Sequence, residues 1–168
     1  TAILDTILWS VAQKYVCLRI TSPTGIVTDK VGDAYVDDTA LMYADQGGET
    51  HPVKRRKQVV QQIEAIAQDF ERKLFSTGGE LALHKCYWYL IDWKWSENEE
   101  PRMATVAESP GKMMLTKGYN KDDKKEIQRL ECNNSQRTIG ARISPSGDQE
   151  QEYNFKIGQT EDFVVHMK

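Results

Sequence analysis

The stretch from Val31 to Ala44, VGDAYVDDTALMYA, decides the fold of this chain. β-Favouring residues fill both of its halves, and the acidic pair Asp37–Asp38 separates them. Two such runs split by two turn-tolerant residues predict a tight β-hairpin, with strands over Val31–Val36 and Thr39–Ala44. The sequence therefore predicts a hairpin that presents two adjacent carboxylates at its tip.

These two carboxylates repel each other, and a tight turn offers neither a helix dipole nor an internal cation to offset the repulsion. Magnesium is one solution, because this hard cation takes oxygen ligands and keeps several waters. Two such ions about 4 Å apart can clamp the attacking and leaving oxygens of a phosphoryl displacement. The other solution is an ordinary turn, in which Asp hydrogen-bonds to the local backbone. The acidic tip alone is compatible with both.

Helical periodicity flanks the hairpin on both sides. Apolar residues recur at helical spacing from Ile3 to Tyr15 and again from Val59 to Phe75, which predicts an amphipathic helix in each place. The pair Gly78–Gly79 supplies the residue type that commonly ends a helix in the left-handed conformation. Residues Gln46–Gln58, between the hairpin and the second helix, are predicted to form a loop.

Short strands are predicted over most of the remaining chain, followed by a turn at Ser144–Asp148 and a last helix that carries Tyr153, Phe155 and Ile157. The β-favouring runs are Leu81–Trp95, Met103–Ala107, Lys112–Thr116, Ile127–Cys132 and Thr138–Ile143. No internal repeat and no linker-like stretch interrupts this order. The predicted class is therefore α+β.

Composition excludes some classes of protein. The chain has 168 residues, of which 28% are charged and 39% hydrophobic, which fits neither a disordered tail nor a membrane-embedded protein. No stretch approaches the ~20 apolar residues that a membrane span needs. The formal net charge of −3 argues mildly against nucleic-acid binding, which usually shows as basic excess. Nucleic-acid binding would therefore require a local charge arrangement.

The three cysteines, Cys17, Cys86 and Cys132, are isolated, and none forms a C-x-x-C pair. Three thiols cannot pair completely, and this spacing suits no zinc site. We expect a reducing intracellular compartment, the cytoplasm or the nucleus.

Tyr35-Val36-Asp37-Asp38 resembles the catalytic hairpin of reverse transcriptases, the RNA-directed DNA polymerases. Four other features stand in that family's order. They are a helix before the hairpin, a helix after it, the segment Gly78–Cys86, which is similar to the family's glycine–apolar–lysine motif, and the segment Thr138–Ile143, which is similar to the apolar–Gly–apolar hairpin called the primer grip. The resemblance covers about residues 2–145 and is closest to the reverse transcriptases of retroelements such as retrotransposons.

The resemblance implies a palm-type antiparallel sheet with packed helices. Residues 1–145 would be a partial palm, and residues 146–168 the start of the connection to a thumb or a C-terminal helix. The implied reaction is template-directed nucleotidyl transfer from a dNTP to the 3′ hydroxyl of a primer–template, with two Mg²⁺ ions as cofactors. The resemblance implies no membrane partner and leaves the oligomeric state open.

The family's catalytic roles fall on three residues. Asp37 matches the carboxylate that binds catalytic Mg²⁺, and Asp38 matches the second acid of the metal site. Lys85 matches a lysine proposed to give a proton to the leaving pyrophosphate, since a cation beside polyphosphate is a suitable charge partner and acid. The alternative for Lys85 is a surface lysine at the start of a strand.

The resemblance also implies nucleotide and primer contacts. Tyr35 and Val36 match positions that lie against the primer end and the incoming nucleotide. Ile139 and Gly140 match the primer grip, where a glycine lets the backbone approach the primer closely. An ordinary strand glycine is the alternative for Gly140.

The chain departs from the family in its third carboxylate, which the family carries on a strand well before the catalytic hairpin. Asp5 lies in the first predicted helix and Asp33 beside the hairpin, so neither is a convincing substitute. Ala82 stands where the family often has Asn. The fingers and most of the thumb are expected to be absent, and we therefore expect the chain alone to be inactive as a polymerase.

Two rival hypotheses remain at this point. One is a fragment of another palm-type nucleotidyl transferase, such as a nucleotidyl cyclase or a DNA polymerase. The lysine and primer-grip pattern after the hairpin argues against it. The other is a non-catalytic α+β module that binds nucleic acid or protein.

Two further features have both a functional and a structural interpretation. The basic run Lys54, Arg55, Arg56 and Lys57 is the best candidate for phosphate contacts, although a solvated basic surface explains it too. Strand alternation places Tyr87, Tyr89, Ile91, Trp93 and Trp95 on one face, which could stack on bases. We favour a core face for this aromatic row.

Overall fold

The computed structural model describes residues 2–15, 18–35, 38–45, 47–120, 122–138 and 141–166. Over these residues the chain has three helices, α1 Ala2–Ala12, α2 Pro52–Ser76 and α3 Glu150–His166. The strands are β1 Leu18–Thr21, β2 Val27–Lys30, β3 Gly32–Tyr35, β4 Asp38–Leu41, β5 Tyr87–Trp88, β6 Trp93–Trp95, β7 Pro101–Met103, β8 Met113–Thr116, β9 Lys124–Arg129, β10 Gln136–Thr138 and β11 Ala141–Ile143. The predicted α+β class is confirmed.

The strands form small sheets. Four are antiparallel hairpins, β1–β2, β3–β4, β6–β7 and β10–β11, and the fifth has the order β5-β9-β8 with β5 parallel to β9. The chain packs as two compact units, residues 1–88 with 110–129, and residues 89–109 with 130–168. None of the described helices is long and apolar enough to cross a membrane.

The core of the first unit lies between α1, α2 and the β3–β4 hairpin. Its buried side chains are Ile7, Val11, Val31, Ile66 and Phe70, and Leu41 and Tyr43 pack against them. The apolar stripe of each helix faces this core, as the helical spacing predicts. One face of the β3–β4 hairpin therefore packs against both α1 and α2.

Helix α1 ends at Ala12 rather than at the predicted Tyr15, and the residues after it are tied to α2. Lys14 Nζ lies 2.9 Å from Asp69 Oδ1, and the Tyr15 hydroxyl donates a hydrogen bond to the Ala65 carbonyl. Burial raises the pKa of Asp69, but hydrogen bonds from Lys73 and Lys14 outweigh it and hold that pKa below its usual value. These contacts fix the two helices against each other.

Helix α2 begins at Pro52 rather than at Val59, so the predicted loop Gln46–Gln58 is wrong from Pro52 onward. Proline at the first helical position has a preset φ and lacks only an N–H that would be unpaired there anyway. The helix ends at Ser76, and Gly78 follows with φ +86°, the left-handed stop that the sequence predicts.

A polar stripe on α2, made of Glu64, Gln68 and Glu71, covers the outer edge of β8 and the turn after it. Glu64 Oε2 accepts from the Met114 N–H at 2.7 Å, and Gln68 Oε1 accepts from the Thr116 N–H at 2.7 Å. The distance between Glu64 and Gln68 along the helix matches the distance between Met114 and Thr116 along the strand, because four helical residues rise about 6 Å and two strand residues about 6.8 Å. The stripe thus takes the place of a neighbouring strand.

The stripe ends at Glu71, whose carboxylate is fully buried. Its Oε1 accepts from the Gly118 N–H at 3.0 Å, and its Oε2 accepts from the Leu81 N–H at 2.9 Å. Gly118 has φ +53°, and a Cβ there would come within 2.8 Å of the Phe75 ring. Glu71 therefore joins two loops of the first unit at a point where both backbones approach α2.

Several predicted strands are present with shifted bounds. Pro101–Met103 rather than Met103–Ala107 pairs with β6, and β9 covers Lys124–Arg129 rather than Ile127–Cys132. The predicted run Thr138–Ile143 belongs to a two-stranded hairpin that starts at Gln136. The last predicted helix is confirmed as α3, which contains Gly158 and buries none of its described side chains.

Candidate functional site

The acidic hairpin is formed by β3 and β4, and its register differs from the predicted one. Gly32 pairs with Leu41, and Tyr35 pairs with Asp38. Asp38 is therefore the first residue of β4, and Val36 and Asp37 are the two residues between the strands. The prediction that Asp37–Asp38 form the connection is wrong by one position. Val36 and Asp37 themselves lie outside the described residues.

Packing fixes the hairpin from one side only. Leu41 lies against the core of the first unit, and the Met42 N–H donates to the Val31 carbonyl at 2.7 Å beyond the end of the ladder. On the opposite face, Asp33 and Asp38 are both exposed. The sequence pattern therefore does produce a supported hairpin with an acidic outer face.

Asp33 is the described carboxylate closest in register to Asp38 on that outer face, two residue pairs along the ladder. Lys30 Nζ lies 2.7 Å from Asp33 Oδ1, so a cation already compensates this charge. Among the residues that the structure describes, no three His, Cys, Asp or Glu side chains are grouped so that they could hold a metal. The carboxylates that could bind Mg²⁺ at this hairpin are therefore Asp38 and Asp37, of which Asp37 lies outside the described residues.

Lys85 lies in the turn between α2 and β5, where its N–H donates to the Ala82 carbonyl at 2.7 Å. Its side chain is exposed, and within the described part of the chain no hydrogen bond or ion pair links it to Asp38. The neighbouring thiol of Cys86 is half-buried, and burial, helped by the charge of Glu71, raises its pKa. Neither Cys86 nor Cys132 forms a disulfide among the residues that the structure describes, and Cys17 lies outside them.

The predicted primer grip forms a hairpin in the second unit. Thr138 pairs with Ala141, so Ile139 and Gly140 are the two residues between β10 and β11. Both lie outside the described residues. The hairpin is held at its base by α3, because the Arg142 N–H donates to Glu152 Oε2 at 2.8 Å and the Arg142 guanidinium lies 5.0 Å from the Phe155 ring centre.

The basic run lies inside α2 rather than ahead of it. Four consecutive helical residues point about 100° apart, so they cannot all face one partner. Arg55 forms an ion pair with Asp45, and Arg56 is half-buried. Lys54 and Lys57 are exposed and one turn apart, which places them on one side of the helix. Only these two can act together on an outside partner.

The aromatic row alternates as predicted but is not a core face. Trp88 and Leu90 are buried, whereas Ile91, Trp93 and Trp95 are 52%, 60% and 72% exposed. The preference for a core face is therefore wrong for these three side chains. The first residue of the row, Tyr87, belongs to the first unit and the remainder to the second.

The polar stripe of α2 is the feature that sequence reasoning missed. Glu64, Gln68 and Glu71 recur at the spacing of one helix face, which is also the pattern of a solvated surface. Their position beside the apolar face was the available signal. Only the placement of β8 shows that these side chains bind backbone rather than water.

No family model matches this chain, and neither a curated protein nor a solved structure matches it.

Proposed function

We propose that this chain is a piece of the RNA-directed DNA polymerase of a retroelement, with residues 1–145 as part of its palm. The observation that carries the proposal is the β3–β4 hairpin, in which Tyr35 pairs with Asp38 and both helices support the inner face. Together with the order of motifs around it, this hairpin favours reverse transcriptase over other palm-type nucleotidyl transferases.

In the proposed enzyme, Asp37 and Asp38 hold Mg²⁺, which supplies electrostatic stabilisation for nucleotidyl transfer to a primer hydroxyl. Tyr35 and Val36 lie against the primer end and the dNTP, and Ile139 and Gly140 against the primer backbone. Lys85 neutralises the leaving pyrophosphate. The proposal is tested by Mg²⁺-dependent binding of a primer–template, which requires the two aspartates.

A non-catalytic module that binds nucleic acid or protein is the second candidate. The ion pair between Lys30 and Asp33 favours it, because it compensates the described carboxylate that the register brings closest to Asp38. Such a module would bind its partner equally well with and without magnesium. Metal dependence therefore separates the two candidates.

We expect the isolated chain not to extend a primer. Two carboxylates without a third bind magnesium weakly, and among the described residues no third acid completes the site. The measurement is extension of a labelled primer on RNA and DNA templates with Mg²⁺ and all four dNTPs. Robust template-dependent synthesis, abolished in Asp37→Asn, would show that the site is complete within this chain.

We also expect the double variant Lys54→Gln/Lys57→Gln to weaken oligonucleotide binding and to make it less sensitive to salt. Each phosphate contact contributes roughly one unit to the slope of log K against log salt, so the slope should fall by about two. The measurement is fluorescence anisotropy over a salt series.

The matched control is Lys124→Gln/Lys125→Gln, which removes the same charge from two exposed lysines of β9. If both double variants change the slope equally, the effect is one of net charge and the α2 contact is refuted.

A further inference from the structure

One face of the β6–β7 hairpin in the second unit is apolar and exposed. Trp93 pairs with Met103 and Trp95 with Pro101, so these four side chains share the face. We call these four residues the Trp face. Its two tryptophans alone, 60% and 72% exposed, present roughly 200–330 Å² of surface, which approaches the size of the apolar patches that mark interaction sites.

The opposite face of this hairpin is fastened to its own unit. Arg102 Nη1 donates to Glu108 Oε2 at 2.8 Å, and the Thr105 N–H donates to the same oxygen at 2.9 Å. Lys94, which pairs with Arg102 across the strands, donates to the Glu108 carbonyl. Because the two cations of the hairpin are held on this side, the Trp face stays outward and carries no cation of its own.

The tip of the hairpin is acidic. The loop from Ser96 to Glu100 carries Glu97, Glu99 and Glu100, all exposed, and no described cation forms an ion pair with them. The loop is ordered by its backbone, since the Ser96 N–H donates to the Glu100 carbonyl at 2.8 Å. Three uncompensated charges thus lie at the end of the Trp face.

Glu99 occupies a backbone conformation that suits another residue. Its φ is +60°, and it is the one non-glycine residue with positive φ in the described part of the chain. Glycine or asparagine adopts this left-handed region at lower cost, and glycine is the usual residue at this place in a hairpin loop. Glu99 therefore stands at a position whose backbone conformation favours glycine.

We propose that the Trp face docks a protein segment that combines apolar side chains with lysine or arginine. Indole rings take apolar groups and cations on their faces, and the glutamates of the tip complement basic residues beside them. Nucleic acid fits less well, because its phosphates would meet three carboxylates and no free cation. This inference is independent of the proposed polymerase function.

The test follows the indole N–H signals of the full chain by NMR while a short peptide that alternates leucine with lysine is added. We expect the Trp93 and Trp95 signals to shift and the Trp9 signal to stay. Trp93→Ala/Trp95→Ala should weaken binding by tenfold or more. Trp9→Ala is the matched control, since Trp9 on α1 is 66% exposed and lies on the other unit.

Glu99→Gly separates binding from folding. It removes both a tip charge and the unfavourable backbone, so we expect the melting temperature to rise by about 2–5 °C while peptide affinity falls. A matched peptide that alternates leucine with glutamate should not bind.

Three outcomes would overturn the proposal. They are equal binding of the lysine and glutamate peptides, shifts of Trp93 and Trp95 on addition of single-stranded oligonucleotide in place of peptide, and concentration-dependent self-association that is lost in Trp93→Ala/Trp95→Ala. The second outcome would identify a base-stacking surface, and the third an interface between two copies of the chain.

Discussion

Replacing Glu71 with alanine is expected to lower the free energy of unfolding by about 4 kcal/mol. The substitution leaves two backbone donors, the buried N–H of Gly118 and the half-buried N–H of Leu81, without their acceptor. Each buried donor without a partner costs about 1–3 kcal/mol, because it has lost water and gained nothing. Since Glu71 joins two loops to α2, both are expected to lose protection from hydrogen exchange.

Glu71→Gln should have a smaller effect, about 2 kcal/mol. An amide retains one carbonyl acceptor, but its NH₂ group then faces the other backbone donor. Urea unfolding followed by circular dichroism measures both variants. Glu80→Ala is the matched control, because Glu80 pairs with Lys117 at the surface, where an ion pair contributes little to stability. Equal losses for Glu71→Ala and Glu80→Ala would contradict the role of the polar stripe.

Gly32→Ala is expected to open the acidic hairpin and to cost about 3 kcal/mol. An added Cβ would lie 2.2 Å from the Ala40 carbonyl oxygen and 3.2 Å from the Leu41 Cα. Both atoms belong to the backbone of the facing strand, so no flexible side chain can move aside. The strands must separate where the hairpin joins the core.

Hydrogen exchange of the Met42 amide, which bonds to Val31, measures this opening directly. The control is Gly158→Ala in α3, where an added Cβ meets nothing within 4 Å. Alanine is the better helix former by about 0.5–1 kcal/mol, so this variant should gain stability. A Gly32→Ala variant with native exchange rates would mean that the hairpin tolerates a side chain at this position.

Local pattern predicted much of the fold because the pattern and the packing agree. The apolar stripes of α1 and α2 face the core, and the strand–turn–strand pattern around Asp37 does form a hairpin. The start of α2 could not be predicted from periodicity, because the residues of its first turns are mostly polar and exposed and form no apolar stripe. Pro52 indicates the helix start, but the basic residues that follow it are also typical of a loop.

Register and edges depend on distant residues. A hairpin connection of two residues fits either Asp37–Asp38 or Val36–Asp37, and the two registers leave every side chain on the same face, so the apolar pattern does not distinguish them. The structure pairs Gly32 with Leu41, and this pairing places Asp38 in β4. Glu71 was missed for a related reason, since only the edge of β8 distinguishes its burial from a solvated helix face.

The apolar character of the aromatic row did not predict whether its side chains are buried. Alternation predicted its two faces, but five apolar residues on one side suggested a core. In the structure the opposite face is the one that bonds to its own unit, because Arg102 and Lys94 both contact Glu108. No local pattern carries that information.

The proposed function requires that the tip of the β3–β4 hairpin hold magnesium for nucleotidyl transfer. The most direct measurement is the affinity of a fluorescent primer–template for the chain with Mg²⁺ and with EDTA, in the native protein and in Asp37→Asn. Asp122→Asn/Asp123→Asn is the control, because it removes an acidic pair from a polar loop of the same unit. We predict binding that requires Mg²⁺, is lost in Asp37→Asn and is retained in the control. Binding that is the same with Mg²⁺ and EDTA, or that survives Asp37→Asn, would contradict the proposal.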